Sequence, residues 1–267
     1  MFIRILPFAL AALFLAGCQS NSGAPEARLT PAQKKELGQQ RAGFAKLMIR
    51  VLAREGDLAN ALERDGSFNL IITIDDKNRV IACDTQPNKT FDRKLYPYNA
   101  QLAKDLQSIC WTSVLPEMPW SLADTKEKFQ EIVAPVAVYP LTGLSAEARA
   151  RRATVLQDKA KNDFLFKQLL APLPIDSIGV ATLMIMSDSS GRVLECAASL
   201  DPHALRPHEF KQDDALLASL VQHCKQLDMN ALPGYAPNAK AMTSSFHRIE
   251  YTPWKAGLKS DVKTPAL

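Results

Sequence analysis

The chain has 267 residues, of which 47% are hydrophobic and 22% are charged, enough for one large folded domain or two modest ones. Its formal net charge is only +4, and its lysines and arginines are dispersed without interleaved aromatic residues, which excludes a nucleic-acid-binding protein. Beyond the N-terminus no apolar run reaches the roughly 20 residues that a membrane-spanning helix needs.

The N-terminus carries a secretory signal. Arg4 precedes a short apolar run and then small residues, which is the pattern of a cleavable signal peptide over residues 1–17. The tetrapeptide Leu15-Ala16-Gly17-Cys18 resembles the lipobox of bacterial lipoproteins at all four positions. That resemblance implies cleavage before Cys18, acylation of this cysteine and a lipid anchor in the bilayer.

The residues after Cys18 suggest where this anchor is placed. Gln19 is not the aspartate that retains lipoproteins at the inner membrane, so we expect the inner leaflet of the outer membrane, with the protein facing the periplasm. Residues 18–29 are small and polar and predict a flexible lipidated tether. An ordinary secretory signal with a chance cysteine is the alternative.

The other four cysteines indicate an internal duplication. Cys83 and Cys110 lie 27 positions apart, and Cys196 and Cys224 lie 28 apart. An even number of cysteines in an oxidising compartment indicates disulfides. The repeat symmetry favours Cys83–Cys110 and Cys196–Cys224, although four cysteines allow three pairings. A four-thiolate metal site is the rival, but no Cys-x-x-Cys cluster supports it.

The same elements follow one another in both copies. Thr30-Pro31-Ala32-Gln33 combines a capping hydroxyl, a proline and a glutamine, and predicts the start of a helix that runs to about Arg54. Its counterpart is predicted from Ser145 to about Ala171. Next come a hairpin, a helix that carries the second cysteine of the pair, a proline-bearing loop and a closing strand. The predicted hairpins cover residues 68–83 and 180–196, and the closing strands cover 129–139 and 246–251.

This order predicts an α+β fold with two tandem α-ββαβ repeats, at residues 30–142 and 143–254. Each repeat should form a small antiparallel sheet with helices on one face and one disulfide. Residues 255–267 are expected to be a flexible tail.

The second copy resembles the C-terminal domain of the TonB/TolA superfamily. The match lies in the turn and strand Asp188-Ser189-Ser190-Gly191-Arg192-Val193-Leu194-Glu195-Cys196, then a helix with Cys224 and a proline loop. It covers residues 176–254 and, less closely, 67–141. The resemblance implies a sheet whose edge strand pairs with strands of a partner. The uncleaved inner-membrane helix of that family is not matched, so we do not expect energy transduction.

Exposed aromatic residues in loops often mark contact sites. Tyr96, Tyr98, Trp120 and Tyr235 are therefore candidate partner-contact residues. Trp111, beside Cys110, is expected to pack on the disulfide in the core instead.

No hydrolase, phosphate-loop or dinucleotide motif occurs, and we expect no catalytic residue, no metal site and no cofactor. His203 and His208 are interpreted as parts of a polar loop, with a metal site as the alternative. The sequence thus favours a non-enzymatic lipoprotein that binds an envelope protein or peptide. The alternatives are a periplasmic inhibitor or immunity protein against a toxin or lytic enzyme, and a cell-wall-acting enzyme with a titratable pair between the copies.

Overall fold

The structure is a computed structural model that describes residues 30–60, 62–119, 129–139, 141, 143–238 and 242–255. The signal peptide, Cys18, the tether, Trp120 and the tail beyond Lys255 lie outside the described residues.

The first repeat forms a three-stranded antiparallel sheet in the order β2-β1-β3, with helices on one face. Its elements are α1 (Pro31–Ala59), β1 (Gly66–Asp75), β2 (Val80–Gln86), α2 (Ala100–Gln107), α3 (Ile109–Thr112) and β3 (Phe129–Val138). The expected capping box starts α1, because the Thr30 side chain accepts from the Gln33 backbone and the Gln33 side chain accepts from Thr30.

The second repeat has the same architecture, with strand order β5-β4-β6. Its elements are α4 (Ala146–Leu165), β4 (Gly179–Ser187), β5 (Val193–Pro202), α5 (Asp214–Lys225) and β6 (Thr243–Tyr251). A π-helical turn at Phe166–Leu170 extends α4. The predicted α+β fold with two tandem repeats is therefore confirmed.

The two sheets share one register. Ile72 pairs with Cys83 on one side and Ile132 on the other, and adding 113 to each number gives the pairs that Ile185 makes with Cys196 and Ser245. Each hairpin also has an irregularity at the same place, between Thr73 and Ile74 or between Met186 and Ser187. Matching residues of the two copies can therefore be compared directly.

Each repeat has its own apolar core and its own disulfide. The bonds are Cys83–Cys110 and Cys196–Cys224, as expected. Each ties the middle of a hairpin strand to the helical segment packed on the sheet. A closed loop of this length contributes roughly 3.5 kcal/mol in the chain-entropy model.

The helical segment of the first repeat differs from the prediction. A break at Ser108 separates α2 from the four-residue helix α3, which holds Cys110. The expectation that Trp111 is in the core is wrong, since its side chain is 37% exposed. Cys110 is fully buried, and the next position on a helix points about 100° away, which turns Trp111 towards solvent.

A buried arginine joins the two repeats. Arg206 is 1% exposed, and its guanidinium donates to the backbone oxygens of Asn78 (2.8 Å) and Lys77 (3.2 Å) in the first repeat. The group also donates to Glu209 at 2.6 Å and lies over the ring of Trp254, 5.2 Å from its centroid. Trp254 itself packs in the core of the first repeat. The second repeat thus supplies part of the first repeat's core.

Candidate binding groove

An apolar groove of about 320 Å³ lies between α1 and the edge strand β3 of the first repeat. This volume falls within the usual range of ligand pockets, about 300–1,000 Å³. Along α1 the lining runs from Phe44 to Asn60, a length of about 24 Å at the rise of an α-helix. The rest of the lining comes from Ile132, from residues 134–139 and from Leu141.

The α1 wall of the groove is almost entirely apolar. The helix has one apolar column that enters the core, with Met48 and Val51 buried. A second column beside it faces the groove, and its residues are Ala45, Ile49, Leu52, Ala53 and Gly56. An apolar stripe about 100° wide is enough to seat a surface helix on a core. The apolar face of α1 is wider than the core requires.

The β3 wall is lined by small side chains on the helix-facing side of the sheet. Ala134, Val136 and Val138 occupy this side, opposite Leu70, Phe68 and Gly66 of β1. These side chains are short, and a cavity remains between the helix and the strand.

The second repeat has larger side chains at the same positions. In place of Ala134, Val136 and Val138, β6 carries His247, Ile249 and Tyr251.

Ile249 and Tyr251 are fully buried, and they join a core that includes Leu165 and Leu170 of the second repeat's helix. Burial lowers the pKa of His247, and the charge of Lys161 lowers it further, so the imidazole is neutral at pH 7. The matching space in the second repeat is filled.

The groove also exposes the free backbone edge of β3. Within the described residues this strand is paired only with β1, so the other edge of the strand has no strand partner there for its N–H and C=O groups. Pro135 sits in its middle, paired with Asn69. Proline is tolerated in a sheet where its nitrogen faces away from the paired strand. The positions on both sides of Pro135 therefore present an N–H donor and a C=O acceptor at the free edge, whereas Pro135 presents only its C=O acceptor.

Charged residues close one end of the groove. Arg152 of α4 forms an ion pair with Asp57 and donates to the backbone oxygen of Asn60 at 2.8 Å. At the same end Tyr139 contacts the ring of Tyr96, with ring centroids 5.2 Å apart. Both repeats thus contribute to the polar end of the groove.

The predicted contact residues do not form one site. Tyr96 lies next to the groove through Tyr139, and Tyr98 is 42% exposed beside it in the same loop. Tyr235 is in the second repeat, where its hydroxyl is 2.6 Å from the Ser187 hydroxyl. Trp120 is outside the described residues. Sequence reasoning missed the groove itself, although the wide apolar face of α1 was a usable signal.

A second cavity, polar and about 270 Å³ in volume, lies between the repeats and is lined by residues of α1, α4 and β6. Burial acts to raise the pKa of Glu250, but the hydrogen bond from His203 and the charges of His203, Arg54 and Lys255 outweigh it and hold that pKa below its usual value. Burial lowers the pKa of Lys255, whose amine donates to the Glu250 backbone oxygen at 3.1 Å. These charged groups are already engaged with one another.

Comparison with known protein families, with curated proteins and with solved structures finds no match to this chain. Within the described residues, no group of three or more His, Cys, Asp or Glu side chains could hold a metal ion. No described helix is long and apolar enough to cross a membrane.

Proposed function

We propose that this protein is a periplasm-facing lipoprotein, anchored through Cys18, whose first repeat binds an apolar segment of an envelope protein or peptide. The observation that carries this proposal is the groove between α1 and β3, which is open where the same space in the second repeat is filled. The second repeat supports the first and closes one end of its groove. The role is binding and does not require chemistry.

The free edge of β3 favours a polypeptide as the occupant. A purely hydrocarbon ligand in the groove would remove water from the backbone N–H and C=O groups of that edge and give them no partners, which costs free energy. An extended peptide replaces the lost water with main-chain hydrogen bonds and places alternate side chains against α1. This mode agrees with the edge-strand pairing that the TonB/TolA resemblance implies.

Pro135 constrains how such a peptide pairs. It provides no N–H, so the partner residue opposite it can donate to the Pro135 carbonyl but gains no donor in return. The neighbouring pairing positions, Val133 and Ala137, have both groups. We therefore expect two short ladders separated by a gap, with apolar partner side chains pointing into the groove.

The test is site-specific photocrosslinking in intact cells. A photoreactive amino acid replaces Ala53, which lines the groove and is exposed, or Ala42, which is exposed on the same helix and does not line it. We expect an adduct with one envelope protein from position 53 and not from position 42. The crosslinked peptide should be an extended apolar segment.

Blocking the groove gives the matching affinity test. Ala53→Phe should weaken capture of the crosslinked partner by at least about tenfold, which is the loss expected when a central apolar contact is excluded. Ala42→Phe makes the same change outside the groove and should leave capture unchanged. Equal capture by both variants, or cell-wall degradation by the purified protein, would contradict the proposal. A partner whose lytic activity is lost on binding would instead identify an inhibitor.

A further inference from the structure

The first turns of α1 extend beyond the folded body. Residues 31–43 are exposed or half-exposed, and the first α1 side chain that packs on the core is Phe44. At 1.5 Å per residue this projecting stretch is about 20 Å long. Nothing in the described part of the chain buries it.

This stretch and the next turns are strongly basic. Five basic residues and one acid, Glu36, occur before Arg54. The basic residues are Lys34, Lys35, Arg41, Lys46 and Arg50. The side chains of four of them, all except Arg41, form no hydrogen bond or ion pair with any described residue. Lys35, Lys46 and Arg50 fall within about 60° of one another around the helix, since each residue advances 100°.

In the matching helix of the second repeat, three of the five basic side chains form ion pairs. In α4, Lys159 pairs with Asp163, Lys161 pairs with Asp158, and Arg152 pairs with Asp57. Interspersed charges of both signs with pairs three or four residues apart are usual on a solvated helix. The unpaired positive stripe of α1 departs from that pattern.

We propose that the basic stretch of α1 from Lys34 to Arg50 binds an anionic lipid surface. The charge is complementary to such a surface, and each lysine or arginine close to it strengthens binding by roughly fivefold. Only 12 residues separate Cys18 from Pro31, the first residue of the helix, a reach of at most about 45 Å. The stripe adds an electrostatic contact to whatever anchors the chain, and it does not depend on the groove.

The test uses the mature chain with Cys18→Ser, so that no acyl group takes part. Sedimentation with vesicles containing about one third phosphatidylglycerol in phosphatidylcholine measures the partition coefficient. We expect binding at about 0.1 M salt and its loss at about 0.5 M, where the screening length is much shorter. The variant K34Q/K35Q/K46Q/R50Q should bind at least about tenfold more weakly, since glutamine preserves the helix while removing the charge.

The matched control K89Q/R93Q/K94Q/K104Q removes four exposed basic residues outside α1. It should change the partition coefficient by less than about threefold, since distant charges are screened. Equal losses from both variants would overturn the proposal, as would equal binding to pure phosphatidylcholine. Binding to isolated cell-wall sacculi but not to vesicles would overturn it too. None of these results depends on the partner bound in the groove.

Discussion

The two repeats have the same sheet register but differ at the inner face of the third strand. In the second repeat, His247 and Tyr251 fill the space beneath the helix, whereas Ala134 and Val138 of the first repeat leave it open. The two repeats thus share one backbone framework, and the volumes of a few side chains decide whether the space beneath the helix is filled. That space is filled in the second repeat and is an open apolar site in the first.

The two repeats also contribute unequally to the interface between them. Arg206 and Trp254 come from the second repeat and insert into the first, where Trp254 donates its indole N–H to the Ser113 backbone oxygen at 3.3 Å. The first repeat has no matching insertion among the described contacts of the second repeat's core. We therefore expect the stability of the first repeat to depend on the second repeat more than the stability of the second depends on the first.

The largest expected effect is from Arg206→Ala, which breaks this dependence. The change leaves Glu209 without its partner and removes the donor from one buried and one partly buried backbone oxygen, and it should lower the free energy of unfolding by about 3–5 kcal/mol. Urea unfolding measures it, with Trp fluorescence reporting on the first repeat, whose core holds Trp254, and circular dichroism reporting on both repeats. The first repeat should unfold at lower urea than the second. A single unshifted transition would contradict the asymmetric dependence.

Removing each disulfide in turn tests whether the two bonds stabilise their repeats equally. Replacing Cys83 and Cys110 by serine, or Cys196 and Cys224, should cost about 3.5 kcal/mol in each case, because both bonds close loops of nearly equal length. Denaturant midpoints of the two double variants give the comparison. A difference above about 2 kcal/mol would show that the copies do not use their disulfides equivalently.

Matched truncations test where the copies differ. Ile249→Ala in the filled repeat should cost about 3 kcal/mol, since it opens a cavity in a closed core. Val136→Ala, at the same register position, should cost only about 1 kcal/mol, because its side chain already faces open space. Equal losses would mean that the first repeat is as tightly packed as the second.

The smallest expected effect concerns pH at the polar cavity. Because the pKa of Glu250 is lower in the folded protein than its ordinary value of 4.5, the unfolded chain takes up the proton first as the pH falls. The stabilisation is complete above that value and is lost as the pH drops through the folded pKa. It should stay below about 1 kcal/mol, since the side chain is partly exposed. Acid titration of unfolding free energies for wild type and Glu250→Gln should show the two curves converging below pH 4.5. Parallel curves would exclude this pH-dependent stabilisation by Glu250.

Local signals in the sequence were enough to predict the order of helices and strands in both repeats. The cap at Thr30, the Asp-rich hairpin turns and the spacing of the four cysteines each depend on nearby residues, and they predicted the repeats and disulfides. The groove could not be predicted in this way, because it results from volumes on two elements about 80 residues apart, such as Ala53 and Ala134. The burial of Arg206, between His203 and His208 in the loop interpreted as polar, was likewise not predictable, since it depends on the other repeat.

The central claim is that an apolar site is open in the first repeat and closed in the second. Methyl NMR under xenon pressure tests it most directly, since xenon enters empty apolar cavities. We predict xenon-dependent shifts for methyl groups of Ile49, Ile132 and Val136, and none for Ile185 or Ile249. Unshifted groove methyls, or equal shifts in both repeats, would contradict the account.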